Sequence, residues 1–317
     1  MIDLPTRGYR GRIYLGSFLR YRPLWLKYDG NEKLINFQVK CTLTNKDIAF
    51  EKLRADRQDL LFITYDGEAI PYWIENANST EIIVWLKFSE IIPGTEIFWL
   101  YYGNGNFSGA SNGEATFEFF DDFEDGIYTD KWTRIHDITW QESNGYIEQT
   151  NDPAGESGAN YHGLQSLKTF NRNGGWFHFL ARLRSNSNAA WDSVISVALH
   201  PTDPGGIESQ RDYGVSINTY HDARTLRIYY PGGHKDLEKV HPYNIWYRVE
   251  IWYKGSSGFE WKIIREDTNE IYWQSNATDS AASTDDLYVF LGGDNEGMRW
   301  DDIRIRKYTD IEPIILK

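Results

Sequence analysis

Acidic residues stand close together near both ends of the second half of the chain. Asp121, Asp122 and Glu124 lie near its start, and Asp301 and Asp302 lie near its end. Carboxylate oxygens are ligands that Ca²⁺ takes in proteins. In a β-sandwich whose first and last strands are neighbours these five groups converge, so the pattern predicts a structural calcium site. The alternative is that they are solvated acids at strand ends.

Aromatic and histidine side chains beside polar or glycine-rich stretches form a second candidate site. An aromatic ring packs against the apolar face of a sugar, and nearby polar groups bind the hydroxyls. These residues therefore predict contact with a glycan or a cell-surface polysaccharide, although a core position explains any single one equally well. The candidate ligand-binding residues are Trp191, Tyr220, His221, Tyr229, Tyr230 and His234.

Motifs of common enzyme mechanisms are missing from the sequence. The seven histidines show no HExxH spacing, and neither a G-x-S-x-G elbow nor a P-loop is present. A glycosidase needs two carboxylates at a set separation, and some β-sandwich glycosidases carry theirs as E-x-D-x-x-E. Glu118, Asp121 and Glu124 come closest to that pattern but have the wrong spacing. The sequence predicts a non-enzymatic protein, and glycoside hydrolysis is the alternative.

The composition of the chain indicates which classes of partner the protein does not bind. The net charge of −13 and the pI of about 5.0 disfavour binding to phosphate backbones, so we expect no nucleic-acid partner. No apolar run is long enough to span a bilayer, and we expect no membrane insertion. Cys41, the single cysteine, excludes an intrachain disulfide and falls in an alternating run typical of a buried strand.

The elements that position these residues are strands. Between Leu60 and Asn104 the chain alternates apolar and polar residues around two turn signals, Asp66-Gly67 and Pro93-Gly94, which predicts a half-buried antiparallel meander of four strands. One face of its third strand carries Ile82, Val84, Leu86 and Phe88.

The second half continues with evenly spaced strand patterns and no sustained helical period, so the fold class is all-β, with two β-sandwich domains. The predicted domain ranges are a basic N-terminal arm (1–17), an N-terminal sandwich (18–104), a linker (105–115) and a jelly roll (116–317).

Ordered motifs in the first hundred residues resemble the domain of unknown function 2341. They are Asp59-Leu60-Leu61-Phe62, Pro71-Tyr72-Trp73-Ile74-Glu75, Val84-Trp85-Leu86-Lys87 and Tyr101-Tyr102-Gly103-Asn104, preceded by Tyr21-Arg22-Pro23-Leu24. The second half, opening at Phe117–Glu124 and closing at Trp300–Arg306, is similar to concanavalin-like or laminin-G-like jelly rolls. The resemblance implies a large surface protein of archaea or bacteria and implies no defined activity.

These observations predict a surface-exposed binding or structural protein that contacts glycans. The N-terminus lacks the apolar core of a signal peptide, so a virion tail or fibre component that leaves the cell by lysis is one expectation. Arg7, Arg10 and Arg12 would then dock the arm onto a particle or filament partner, or the arm is merely solvated. A purely structural surface or filament subunit is a further alternative.

Overall fold

The computed structural model describes residues 15–107, 109–135, 138–151, 163–171, 176–185, 193–200, 213–220, 223–230, 233–238, 242, 244–255, 258–277, 286–293 and 297–317. The chain divides into two compact units. Unit 1 comprises Met1–Glu118 together with Arg306–Lys317, and unit 2 comprises Phe119–Ile305.

Unit 1 is a sandwich of a four-stranded and a three-stranded antiparallel sheet. The first has the order β22-β1-β6-β3, and the second has the order β2-β5-β4. Short helical turns lie at Leu15–Ser17, Phe50–Lys52 and Gly113–Thr116, the last being helix α1. The strands are β1 (Arg20–Tyr28), β2 (Leu34–Thr44), β3 (Leu61–Thr64), β4 (Tyr72–Ala77), β5 (Glu81–Ile91), β6 (Gly94–Tyr102) and β22 (Ile314–Leu316).

The core of unit 1 follows from the period of two in these strands. Each strand buries one set of alternate side chains between the sheets, and the predicted set on β5 is fully inside, as are alternate residues of β1, β2 and β6. Cys41 on β2 is buried as predicted, and burial raises the pKa of its thiol to about 12.

The predicted four-strand meander has the right strands but only one of the expected ladders, that between β4 and β5. After the turn at Gly67, whose N–H donates to Thr64 O, β4 crosses to the opposite sheet and pairs with β5, whereas β3 pairs with β6. Alternation tells which side chains face the core, but it does not tell which strand is the partner. The third strand of the meander, β5, still buries the face that the pattern predicted.

The compact units also differ from the predicted domain ranges. Residues 105–115 belong to unit 1, where Asn112 N donates to Tyr72 O at 2.7 Å and Ala110 N to Tyr72 Oη at 3.3 Å. The end of the predicted jelly roll also belongs to unit 1, because β22 pairs with β1. The backbone donors and acceptors of these segments find partners there, which the composition of the segments does not reveal.

Gln38 connects three distant segments of unit 1. Its side chain is fully buried, its Nε2 donates to Thr116 O at 3.0 Å and Asn36 O at 3.2 Å, and its Oε1 accepts from Lys307 N at 2.9 Å. One amide therefore satisfies three backbone groups.

Replacing Gln38 with leucine should lower the free energy of unfolding of unit 1 by about 2 kcal/mol, because the buried backbone groups lose their partners. Urea denaturation followed by fluorescence measures the change. Gln141→Leu, at an exposed position of unit 2, is the matched control and should change stability by less than about 0.5 kcal/mol. Equal effects of the two substitutions would contradict this role.

Unit 2 is a sandwich of an eight-stranded and a seven-stranded antiparallel sheet. The path of the eight-stranded sheet is β19-β18-β17-β12-β21-β10-β9, with β7 beside β21, and the seven-stranded order is β16-β15-β14-β13-β20-β11-β8. A helical turn lies at Tyr128–Asp130. The strands are β7 (Phe119–Asp121), β8 (Trp132–Ile135), β9 (Trp140–Ser143), β10 (Tyr146–Gln149), β11 (Gly163–Asn171), β12 (Phe177–Arg184), β13 (Ser193–His200), β14 (Tyr213–Tyr220), β15 (Ala223–Tyr230), β16 (Gly233–Glu238), β17 (Tyr247–Tyr253), β18 (Phe259–Arg265), β19 (Glu270–Ala277), β20 (Asp286–Gly293) and β21 (Arg299–Lys307).

The core of unit 2 lies between these two sheets. Its members alternate along β12, β17, β18 and β21, for example Phe179 and Ala181 on β12 and Val249 and Ile251 on β17. The intervening residues of these strands therefore lie on the outer face of the eight-stranded sheet. The fold is all-β, with two sandwiches, as the sequence predicted. In the described part of the chain no helix is long and apolar enough to cross a bilayer.

Candidate functional site

The predicted sugar-contacting residues do not gather at one place. Trp191 and His221 lie outside the described residues, and Tyr220 lies at the end of β14. Tyr229 and His234 face each other on β15 and β16, with ring centroids 6.4 Å apart.

The exposure of the three described side chains differs. Tyr229 is buried against Ala198 and Phe290, and only His234 is largely exposed. Tyr230 points to the opposite face of the sheet and packs against the core residues Phe259 and Trp261. The three therefore do not form one aromatic surface.

Asp121, the first of the predicted calcium ligands, already accepts hydrogen bonds from neighbouring residues of the protein. As expected, the strand that opens unit 2 pairs with the strand that closes it, Asp121 lying opposite Ile303. Asp121 is buried, and its carboxylate accepts from Trp132 Nε1 at 2.6 Å and from Phe123 N at 3.1 Å. Burial raises its pKa in spite of these donors and of Lys131.

The other four predicted ligands do not complete a metal site. Asp301 is paired with Arg182, Asp302 lies 3.3 Å from Arg304, and Asp122 and Glu124 flank the turn after β7. Among the described residues, no group of three or more His, Cys, Asp or Glu side chains is placed to hold a metal ion. Calcium binding remains a prediction that this geometry does not support.

A different set of side chains lies together on the outer face of the eight-stranded sheet. It spans the adjacent strands β12, β21 and β10 together with the residues just before β17 and just after β18. It combines aromatic rings, guanidinium groups and carboxylates, all partly exposed. We call it the cross-strand strip and define it as Tyr146, Glu148, Arg182, Trp246, Glu266, Arg299 and Asp301.

Arg182 is the centre of the cross-strand strip. Its Nε donates to Glu266 Oε1 at 2.8 Å and its Nη2 to Oε2 at 2.8 Å, while its Nη1 donates to Asp301 Oδ2. Its guanidinium also lies 4.7 Å from the ring centroid of Trp246. Glu266 N donates to Trp246 O at 3.1 Å, which holds the two chain segments side by side. A bidentate pair and a stacked ring give this group one fixed geometry.

The other half of the strip, formed by Tyr146, Glu148 and Arg299, again combines a guanidinium group with an aromatic ring and a carboxylate. Arg299 lies 4.6 Å from the ring centroid of Tyr146, and its Nε donates to Glu148 Oε2 at 2.9 Å. The rings of Tyr146 and Trp246 are 6.5 Å apart, so the two halves are in contact. Glu148 and Arg299 sit opposite each other on paired strands, which explains why residues so distant in sequence meet.

Asp301 has an unusual protonation equilibrium. Burial raises the pKa of its carboxyl to about 7, the neighbouring charges of Asp302 and Asp122 act in the same direction, and Arg182 opposes them. A carboxyl group can hydrogen-bond to a hydroxyl in either protonation form.

A second polar network lies on the same outer face, beside the strip. Glu250 is nearly buried, His178 Nε2 lies 3.1 Å from its Oε2, and Arg248 Nε lies 3.0 Å from its Oε1. The His178 ring stacks on Trp252 at 4.5 Å. Burial alone would raise the pKa of Glu250, but the hydrogen bond from His178 and the charge of Arg248 lower it to about 2.

Replacing Glu250 with glutamine should destabilise the protein by about 1.5–3 kcal/mol at pH 7. Since the pKa is lowered from 4.5 to about 2 in the fold, this stabilisation is complete above pH 4.5 and lost as the pH falls toward 2. Urea denaturation of both proteins at pH 7, 5, 4 and 3 should show the difference between them shrinking with acidity. A difference that stays constant from pH 7 to pH 3 would contradict the ion-pair role.

Of the strip residues, the sequence singled out only Asp301, and for another role. The available signal was the outward-facing set that begins just before β17 and runs along it, where Trp246, Arg248, Glu250 and Trp252 alternate with buried residues. Charged and aromatic residues in such a set are typical of a binding face, but the partner strands lie far away in sequence. Only the order of the strands brings Tyr146, Arg182 and Arg299 to Trp246.

One part of the chain matches the sequence model of a known protein family. Residues 56–135 match the model of the domain of unknown function DUF2341, which confirms the resemblance seen in the sequence. The match starts after the Tyr21-Arg22-Pro23-Leu24 motif and covers less than half of the chain. No curated protein matches the sequence significantly.

Solved structures with a similar fold include lectins and a carbohydrate-binding module. The CBM2 module of the evolved Dit of Lactobacillus casei BL23 phage J-1 is 15% identical, with a TM-score of 0.41 over 59% of this chain and 93% of that one. Lectin II of Ulex europaeus is 11% identical, with a TM-score of 0.45 over 59% and 97%. Peanut lectin is 13% identical, with a TM-score of 0.44 over 63% and 97%. Such values carry no argument about the ligand of this chain.

Proposed function

We propose that this protein is a non-enzymatic glycan-binding protein and that the cross-strand strip is its binding site. The observation that carries the proposal is the strip itself, in which two aromatic rings lie among fixed guanidinium and carboxylate groups. Rings suit the apolar faces of sugars, and planar charged groups bind neighbouring hydroxyls in pairs. Because ion pairs already fix these side chains, little side-chain entropy is lost on binding.

Glycoside hydrolysis is the competing function, and the raised pKa of Asp301 is the observation in its favour. A hydrolase needs one carboxyl to protonate the leaving oxygen and a second to act as nucleophile or base. Here Glu266 and Asp301 both bind Arg182, which holds them away from such roles. We therefore assign the strip to binding.

We further propose an extracellular surface or a virion as the setting, because polysaccharides are met there. A tail or fibre role and a particle or filament partner for the basic arm are parts of this proposal, and the predicted Ca²⁺ is tested separately. Antibody labelling of intact cells and of purified particles tests the setting. Repeating the binding assay in EDTA tests the calcium.

The experiment is a glycan array probed with the full chain, followed by titration calorimetry on the best ligand. The proposal predicts selective binding of at least one polysaccharide, with no release of reducing ends on prolonged incubation. Asp301→Asn should likewise release no reducing ends. Reducing ends that appear with the wild type and vanish with Asp301→Asn would establish the hydrolase instead.

Failure to bind any glycan on the array would overturn the proposal. If the chain then assembled into ordered filaments or particles, it would be a structural subunit.

A further inference from the structure

Unit 1 contains a pocket that no part of the proposed function uses. It has a volume of about 720 Å³, which lies in the range of small-molecule sites. It is lined by the turn between β3 and β4, the end of β5 and the start of β6. Residues of both sheets of unit 1 take part, so the pocket lies at one end of the sandwich.

The lining of the pocket has an apolar part and an acidic part. Leu26, Ile70, Phe88 and Phe98 contribute buried apolar side chains. The exposed lining residues include Tyr65, whose side chain is 74% exposed and available to a ligand.

Three acids of the lining have no cationic partner among the described residues. Asp66, Glu68 and Glu96 are exposed and form no ion pair, whereas the fourth acid of the lining, Glu90, is paired with Lys33 at 3.2 Å. The single cation of the lining, Lys87, lies 3.7 Å from Glu118. The pocket therefore keeps an uncompensated negative charge, which attracts a cation and repels an anion.

We infer that this pocket binds an organic cation with an apolar body, its ammonium or guanidinium group near Asp66, Glu68 and Glu96 and its hydrocarbon part against the accessible apolar lining residues Tyr65, Pro71 and Ile97. The apolar lining distinguishes such a ligand from a metal ion, which needs oxygen ligands on all sides. The negative charge distinguishes it from a neutral hydrophobic compound. A free amine and the Lys or Arg side chain of a peptide share this chemistry.

The test is NMR titration and calorimetry of the full chain with n-hexylammonium, n-butylammonium and 1-hexanol. Hexylammonium should perturb the resonances of Tyr65 and Ile97 and bind about tenfold more tightly than butylammonium, because two more methylenes are buried. 1-Hexanol should bind much more weakly. An acetylated Leu-Arg-Leu peptide that binds more tightly than hexylammonium would identify a peptide as the source, and weaker binding would identify a free amine.

The variant Glu68→Gln with Glu96→Gln should weaken hexylammonium about five- to tenfold, since two charges at the pocket are removed. Glu32→Gln, an exposed acid in the turn between β1 and β2, is the matched control and should leave the affinity unchanged. The inference fails if hexylammonium does not bind, if hexanol binds equally well, or if both variants act alike. These outcomes are independent of the glycan assay, because the cross-strand strip lies in unit 2.

Discussion

Replacing Trp246 with alanine should weaken binding of the glycan found on the array by about 30-fold while leaving the fold intact. Trp246 contacts both Arg182 and Tyr146, so its loss removes the aromatic surface common to both halves of the strip. Truncation of a central aromatic in a binding site typically costs about 2 kcal/mol or more, which corresponds to that factor. Calorimetry measures the affinity, and circular dichroism confirms the fold.

Trp252→Ala is the matched control for this prediction. Trp252 lies on the outer face of the same sheet, about 20 Å from Trp246, the residue before β17, at the usual rise per residue. Its ring stacks on His178 and is not part of the strip. We expect its replacement to change the affinity by less than about threefold. If Trp252→Ala abolished binding and Trp246→Ala did not, the site would lie beside the Glu250 network instead.

Replacing Trp300 with alanine should lower the free energy of unfolding of unit 2 by about 3–5 kcal/mol. Trp300 is fully buried, and its ring lies 5.2 Å from that of Trp140. A Cβ on Gly293 would come within 2.9 Å of Trp300 Cη2, so the indole is packed tightly against the neighbouring backbone. Alanine would leave a large cavity that this close packing cannot fill.

Chemical denaturation can test this prediction because the two units have separate cores and can unfold in separate transitions. Only the transition of unit 2 should move to lower denaturant, and that of unit 1 should stay in place. Trp25→Ala, at a partly exposed position of unit 1, should cost less than about 1 kcal/mol. A Trp300→Ala protein with an unchanged unit 2 transition would show that this core is not the main source of stability there.

The sequence predicts the faces of the strands well. Ile82, Val84, Leu86 and Phe88 alternate along β5, and all four are buried in the core of unit 1. A period of two decides which side chains point inward without knowledge of any partner strand.

Pairings between distant segments were not predictable in this way. β22 returns to β1 in unit 1 because its backbone groups complete the edge of that sheet. Glu148 meets Arg299 and Arg182 meets Asp301 only through the order of the strands. Alternation carries no information about strand order, so the cross-strand strip could not be assembled from the sequence.

The predicted ligand residues show a second limit of prediction from the sequence. Tyr229 and Tyr230 are neighbours in sequence but point to opposite faces of β15, and both pack against other side chains, which the sequence around them does not reveal. Likewise, Asp121 and Asp301 look alike as acids near strand ends. Trp132 holds one and Arg182 holds the other, so each acid already has a partner.

The central claim is that the cross-strand strip binds a glycan, and NMR of the tryptophan indole N–H groups tests it most directly. The full chain has 13 tryptophans, and the indole signal of Trp246 can be assigned from the Trp246→Phe variant. On addition of the glycan found on the array, the account predicts a saturable shift of the Trp246 signal, with Trp25, Trp73 and Trp85 of unit 1 unchanged. A Trp246 signal that stays in place while a glycan demonstrably binds would contradict it.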